Sequence, residues 1–353
     1  MRDYIIVGGG IAGIILAYRL SEEGKSIILI DNDSPKAAWK VAGGVWNAIS
    51  FKRLLKAWMA DEMTAEAHLF YKDLQQVLGV SFYEPKDIVR LFSDVYSQNT
   101  WDSKSVDPNY SAYLDDDVPE DLKTLPLNIP YGAGTVKNGG FVHLRVFMSS
   151  LKEHLKQKAV LVEESLDFSI LSISEDEIRY KDHSAKNIVF CEGSEVLNNP
   201  FFKWLPLKPT KGEGLVIKNP GWSFDFIFNN GKHLMDLKDG RLGVGATFEW
   251  KELDHNPTEK GKNELLAHLE KNFNYSNWEV LEHKAGIRPT VSDRRPLAGV
   301  HPNYKNVFIF NGLGTKGVLI APWMSKKMVN FLLNDEALPK EGDIQRFVKK
   351  HFC

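Results

Sequence analysis

The sequence of 353 residues has only two cysteines, Cys191 and Cys353, and they form no CxxC pair. Two isolated cysteines cannot build a disulfide scaffold or a cysteine-ligated zinc centre. The 10 histidines follow no HxxxH or HExxH spacing, so we expect no catalytic metal. Uninterrupted apolar runs stay well below the roughly 18 residues of a spanning helix. We therefore expect a cytoplasmic protein without a membrane partner.

An excess of positive charge is also missing. Lys and Arg total 44 against 46 Asp and Glu, a formal net charge of −2, so no overall basic field is available to hold a polyanion. A nucleic-acid partner is disfavoured, although a local basic patch would permit one. Hydrophobic residues make up 43% and charged residues 25%, which excludes a disordered chain. The length exceeds the roughly 250–300 residues of one core and favours two lobes.

The chain opens with an apolar strand at 4–7, a glycine turn at 8–13 (GGGIAG) and a helical pattern at 14–20. A second apolar strand, 26–30, ends in Asp31, which follows Gly13 by 18 residues. In dinucleotide-binding units, the glycines allow a tight turn, a close approach of backbone to pyrophosphate and close helix packing, and the acid binds the ribose. The predicted cofactor contacts here are Gly8, Gly10, Ile11, Ala12, Gly13, Asp31 and Asn32.

Two more glycine-rich segments follow. One, 42–44, lies between bulky aromatic residues; the other, 311–317, comes after an apolar strand at 306–310 and before a helical pattern at 318–333. The 20 residues after the second helix hold no strand ending in an acid, so this is not a second nucleotide site. Its helix N-terminus and Lys316 suit the negative charge that a reduced flavin develops at its N1–C2=O edge. A solvated Lys316 is the alternative. The predicted contacts are Ala42, Gly43, Gly44, Gly314, Thr315, Lys316 and Gly317.

Nine segments in a shared order resemble the D-amino-acid oxidase superfamily of FAD-dependent oxidoreductases. This group includes glycine oxidase, sarcosine oxidase and the oxidase domain of a bifunctional tRNA-modifying enzyme. The segments are 7–13, 42–44, 138–142, 189–193, 209–214, 244–249, 285–290, 293–299 and 312–317. The resemblance implies FAD as cofactor and adds Gly193 to its contacts.

The implied fold class is α/β, with a Rossmann-type FAD-binding domain and an inserted α+β substrate domain built on an antiparallel sheet. The implied FAD-binding domain is 1–82, 137–211 and 286–353, and the substrate domain is 83–136 and 212–285. We expect an irregular segment at 83–136 with a solvated acidic loop or lid at 115–117. Turn signals at 229–231 and 238–240 predict hairpins. Helical patterns cover Phe51 to Leu78 and Leu144 to Leu155.

The resemblance implies an FAD-dependent amine or amino-acid oxidase or dehydrogenase, which oxidises the C–N bond of a small amino acid or secondary amine by hydride transfer. Oxygen is one candidate electron acceptor. The predicted catalytic residues are Arg288, Lys316 and Trp46. In relatives that act on amino acids, the arginine matching Arg288 clamps the substrate carboxylate; pairing with a structural acid or the cofactor is the alternative. Trp46 either lines the cavity or belongs to the core.

Relatives with covalent flavin use a cysteine near the C-terminal part of the site. None occurs in 301–322, so we expect non-covalent FAD. Two other functions stay open. One is C–N oxidation of a modified tRNA nucleoside, for which the sequence lacks a basic face; the other is a non-catalytic FAD-holding protein.

Overall fold

The computed structural model describes residues 1–51 and 53–352, so Cys353 lies outside the described residues. The helices are α1 (Ile11–Glu22), α2 (Ala60–Leu78), α3 (Val95–Ser105), α4 (Leu144–Leu155), α5 (Glu259–Asn272), α6 (Gly317–Asn334) and α7 (Gln345–His351). Short 3₁₀ turns cover Ala38–Lys40, Glu120–Thr124, Gly193–Asn198 and Gly314–Lys316. The strands are β1 (Arg2–Val7), β2 (Ile27–Ile30), β3 (Val45–Trp46), β4 (Ile49–Ser50), β5 (Leu55–Lys56), β6 (Tyr83–Pro85), β7 (Ile88–Leu91), β8 (Leu114–Asp115), β9 (Ala133–Val136), β10 (Gly140–Val142), β11 (Ala159–Val162), β12 (Ser172–Ile173), β13 (Ile178–Tyr180), β14 (His183–Phe190), β15 (Thr210–Lys218), β16 (Ile227–Asn229), β17 (His233–Asp236), β18 (Arg241–Gly245), β19 (Val280–Arg288), β20 (Leu297–His301) and β21 (Tyr304–Asn311).

The first sheet has a parallel centre with the order β11-β2-β1-β14-β21, to which β12, β13 and β20 add antiparallel pairs. Its inner strands are continuous apolar runs because both faces are covered; Ile5, Ile6 and Ile28, for example, are almost fully buried. Helix α1 packs against α4 and α6. Since the central strands are parallel, their carboxyl ends meet at one edge. The glycine turns after β1, β14 and β21 therefore share that edge.

The second sheet has the order β19-β15-β18-β17-β16-β7-β9-β8 and is antiparallel except for the β16–β7 pair. Its core includes Leu265 and Leu269 of α5. The turns at 229–231 and 238–240 connect β16 to β17 and β17 to β18, which confirms the predicted hairpins. The α/β class, with a Rossmann-type domain beside a largely antiparallel second sheet, is confirmed. Strands of the second sheet come from 88–136 and 210–288; the exact domain boundaries stay a prediction.

Two local predictions are wrong. The helix predicted from Phe51 begins at Ala60, because the backbone at Leu54 and Met59 takes positive φ of 47° and 48°, which interrupts a helix. The segment 83–136 is not irregular: it holds α3, whose N-terminus has a capping box between Asp94 and Ser97. The acidic stretch 115–117 is tied into the fold, since Asp116 Oδ1 accepts a 2.8 Å hydrogen bond from the indole of Trp101.

Candidate active site

A cleft of about 1150 Å³ is lined by residues of both sheets. This volume exceeds the roughly 300–1,000 Å³ of an ordinary small-molecule pocket and leaves room for a dinucleotide together with a substrate. All but one of the predicted site residues border it. They are Gly8, Gly10, Ile11, Ala12, Asp31, Asn32, Ala42, Gly43, Gly44, Trp46, Gly193, Arg288, Gly314, Thr315, Lys316 and Gly317.

Of the predicted residues, Gly13 does not border the cleft, and its close packing explains why this residue is a glycine. A Cβ on Gly13 would lie 1.9 Å from the carbonyl oxygen of Gly8, so this glycine lets α1 approach the end of β1. At Gly10, by contrast, a Cβ would meet nothing within 4 Å. Helix α1 has no side-chain cap and no acid in its first turn, which leaves its first N–H groups free to bind an anion.

Asp31 ends the second strand at the same edge. Its Oδ1 accepts a 2.9 Å hydrogen bond from the amide of Gly9, and Lys152 Nζ lies 3.8 Å from Oδ2. Next to it, Asn32 donates to Ser165 Oγ at 2.8 Å. These contacts hold the carboxylate beside the glycine turn, where it can accept hydrogen bonds from a ribose.

A second uncapped helix N-terminus faces the cleft at α6, which also lacks an acid in its first turn. Lys316 precedes it and donates a 3.1 Å hydrogen bond to the carbonyl of Asn47. In the described part of the chain, no carboxylate lies within 4.0 Å of the Lys316 ammonium. Burial lowers the pKa of Lys316 to about 8. The helix end and the lysine together place positive potential at one wall.

Arg288, at the end of β19, supplies a second positive charge that borders the cleft. Its Nη1 donates to the carbonyls of Lys211 and Thr247, each at 3.3 Å, and its guanidinium lies 4.7 Å from the ring centre of Phe248. Among residues 1–51 and 53–352, no carboxylate is within salt-bridge distance of Arg288. Burial lowers the pKa of Arg288 to about 10, so it stays protonated at pH 7. A half-buried cation without an acidic partner among the described residues suits an incoming carboxylate.

Sequence reasoning missed His233, which borders the cleft from β17. A Cβ on Gly43 would lie 2.7 Å from its Nε2, so the imidazole lies against one of the predicted flavin-facing glycines. Burial, together with the charges of Arg288 and Lys232, lowers the pKa of His233 to about 4. The imidazole is neutral at pH 7 and can accept a hydrogen bond. No motif marks it; its only signal is its position just after the 229–231 turn.

Trp46 borders the cleft, and its role as a catalytic residue stays a prediction. Its side chain is only 3% exposed and belongs to the core of the first sheet and its helices. The indole packs edge-to-face on His68, with ring centres 4.9 Å apart. Trp46 thus packs into the core and also borders the cleft. Arg288, Lys316 and Trp46 remain the predicted catalytic residues.

Comparison with known proteins decides the family. A family model described as DAO, FAD dependent oxidoreductase, matches residues 3–330. The chain belongs to this family. It is an FAD-dependent enzyme, and the uncapped α1 N-terminus, the open space at Gly10 and the placed Asp31 carboxylate fit that cofactor.

Individual relatives are distant. Glycine oxidase of Bacillus subtilis is 23% identical, with 95% of this chain and 94% of that protein covered. The tRNA 5-methylaminomethyl-2-thiouridine biosynthesis bifunctional protein MnmC of Acinetobacter baylyi is 24% identical over 99% of this chain. This chain spans about half the length of its bifunctional relatives. The glycine oxidase structure from Bacillus cereus superposes with a TM-score of 0.81 at 18% identity, covering 96% of each chain, which shows the shared fold.

The described residues were also searched for a membrane-spanning helix and for a metal-binding group. No helix in them combines the length and apolarity that a membrane crossing needs. No group of three or more His, Cys, Asp or Glu side chains in residues 1–51 and 53–352 is placed to hold a metal ion.

Proposed function

We propose that this protein oxidises the C–N bond of a small amino acid, with a primary or secondary amine, whose carboxylate is bound by Arg288. The observation that supports this most is the half-buried Arg288 guanidinium, which borders the cleft and has no acidic partner among the described residues. Arg90 likewise has no acidic partner among the described residues, but it does not border the cleft. The combination of a position at the cleft with the absence of an acidic partner therefore favours a substrate carboxylate over pairing within the fold.

The chain's own residues would each have a distinct task. Arg288 would hold the carboxylate with its fork and so fix the neighbouring carbon. His233, neutral at pH 7, would accept a hydrogen bond from the substrate nitrogen. Lys316 and the α6 N-terminus would stabilise negative charge that develops beside them. When bound, FAD supplies the acceptor for a hydride from the substrate carbon. Oxygen as the final electron acceptor stays a prediction.

FAD is expected to be released intact when the yellow protein is denatured with acid. Cys191, the cysteine among the described residues, is buried and its thiol pKa is raised well above the usual range by that burial. A thiol that stays protonated at pH 7 is a poor nucleophile toward a flavin. The measurement is the partition of flavin absorbance between supernatant and precipitate. Flavin that stays with the precipitated chain after washing would contradict non-covalent binding.

Lys316→Met is expected to slow flavin reduction by a saturating substrate roughly tenfold at pH 7, since a positioned charge at a developing anion contributes at least this much. Burial lowers the pKa of Lys316 to about 8. The lysine is therefore charged below that pH and neutral above it. Accordingly, the ratio of wild-type to Met rates should fall toward one as the pH rises past about 8.

The matched control for this titration is Lys316→Arg, which keeps its charge throughout that range. The ratio of the flavin-reduction rate of Lys316→Arg to that of Lys316→Met should stay constant between pH 7 and 9. Using ratios removes the ionisation of the substrate amine, which affects all three proteins equally. A wild-type ratio that does not change with pH would show that the Lys316 charge does not assist the reaction.

A further inference from the structure

The guanidinium of Arg288 lies over the backbone of the neighbouring strand. Arg288 of β19 is paired with Thr210 of β15, and its side chain reaches diagonally to Gly212, which lies two residues further along the same face. A Cβ on Gly212 would lie 1.9 Å from Nη2 and 2.2 Å from Cζ of Arg288. The guanidinium therefore occupies the space that a side chain at position 212 would fill.

The ring of Phe248 contacts the same guanidinium. Its centre lies 4.7 Å from Cζ of Arg288, within the roughly 6 Å range of a cation–π contact. The backbone on both sides of the ring is fixed on β15, because the amides of Thr247 and Glu249 donate to carbonyls of that strand, each at 3.0 Å. The ring is therefore held at Arg288 whether or not a ligand is bound.

The hydrogen bonds of Arg288 restrain only one of its nitrogens. Nη1 donates to the carbonyls of Lys211 and Thr247, and both distances are 3.3 Å, longer than the roughly 2.9–3.0 Å of a typical N–H···O bond. Among the described residues, Nε and Nη2 of Arg288 donate to no acceptor. Since an arginine side chain has large rotamer freedom, two long bonds at one nitrogen do not by themselves orient the planar fork.

We propose that Gly212 and Phe248 are positioning residues, which form a slot that holds the Arg288 guanidinium in the orientation that binds the substrate carboxylate. This inference rests on the proposed function and adds two residues that act through Arg288. Both border the cleft, but glycine has no side chain and a phenyl ring has no donor, so neither can replace the fork. An arginine that is oriented in advance loses less entropy when the carboxylate binds.

Phe248→Leu tests the aromatic side of this slot, because it keeps an apolar side chain and removes the ring face. We expect the variant to retain FAD and to lose roughly two- to tenfold of its preference for an amino acid over the decarboxylated amine, as for a partly exposed cation–π contact. Phe248→Tyr keeps the ring face and should retain most of the preference. The measurement is the ratio of kcat/KM for anaerobic flavin reduction by the two compounds.

Gly212→Ala tests the other side. The three atoms nearest to the added Cβ all belong to the Arg288 side chain, so the strand pairing is undisturbed while the guanidinium is displaced. This variant should fold, retain FAD and lose at least as much of the preference as Phe248→Leu. The matched control is Trp250→Leu: Trp250 lies on the same segment as Phe248 and is 64% exposed, but it does not border the cleft. Trp250→Leu should keep the wild-type preference.

A double variant separates action through Arg288 from direct contact with the substrate. Adding Phe248→Leu to Arg288→Ala should change the preference no further, because a positioning residue has no effect once the group it positions is removed. An unchanged preference in Phe248→Leu or in Gly212→Ala, or a full additional loss in the double variant, would overturn the inference and leave the proposed function standing. If Arg288→Ala itself keeps the full preference for the amino acid, the proposed function is wrong and the inference fails with it.

Discussion

Replacement of Arg288 by alanine is expected to lower kcat/KM for the amino-acid substrate roughly ten- to several-hundred-fold, while bound FAD is retained. A charge-assisted hydrogen bond contributes about 1.5–3 kcal/mol, and a bidentate pair contributes more. The variant should lose its preference for a carboxylate: the wild type should prefer an amino acid to its decarboxylated amine, and the Ala variant should not. The measurement is anaerobic flavin reduction by each compound of the pair.

Two further variants separate carboxylate binding from general packing. Arg288→Lys should recover only part of the activity, because an ammonium keeps the charge without the planar fork. Arg90→Ala is the matched control. Arg90 is also half-buried, donates to a backbone carbonyl, that of Phe51, and lies over an aromatic ring, but it does not border the cleft. The Arg90→Ala variant should prefer the amino acid to its decarboxylated amine as strongly as the wild type does. Loss of FAD from Arg288→Ala would instead assign Arg288 to the cofactor.

Gly10→Val is expected to abolish retention of FAD while the chain still folds. The backbone at Gly10 has φ of −70° and ψ of −178°, which valine adopts readily, and a Cβ there meets no protein atom within 4 Å. The side chain would instead fill the space in front of the free α1 amides, where the pyrophosphate must approach. The flavin-to-protein absorbance ratio after purification measures the effect.

The contrasting variant is Gly13→Ala. Its Cβ would collide with the Gly8 carbonyl oxygen at 1.9 Å, so this substitution should lower the thermal stability of the protein itself. Circular dichroism should therefore show a folded Gly10→Val and a destabilised Gly13→Ala. A Gly10→Val protein that keeps stoichiometric FAD would exclude residues 8–13 as the phosphate-binding turn.

Much of the fold follows from local patterns in the sequence. Parallel strands buried on both faces are continuous apolar runs, so β1, β2 and β21 were predictable to within a few residues, as was the complete helix Leu144–Leu155. Glycine, asparagine and aspartate in short turns marked the hairpins around β17. The glycine turns that border the cleft were predictable because a close backbone approach requires that residue type.

Features set by tertiary contact were not predictable. Nothing in the apolar pattern of 51–59 shows that Leu54 and Met59 adopt positive φ. His233 is neutral because burial and the charges of Arg288 and Lys232 lower its pKa, and Arg288 is distant from it in sequence. The sequence left open whether Trp46 lines the cavity or belongs to the core, because its burial depends on packing against residues such as His68 of α2, which follows it along the chain.

Anaerobic mixing of the FAD-loaded protein with a panel of amino acids and their decarboxylated amines tests the central claim most directly. Bleaching of the oxidised flavin band reports substrate oxidation without reference to the later electron acceptor. We expect at least one amino acid to bleach the flavin and its decarboxylated amine to be much slower. A panel in which no amino acid bleaches the flavin, or in which amines react as fast as the corresponding acids, would contradict carboxylate-anchored oxidation at Arg288.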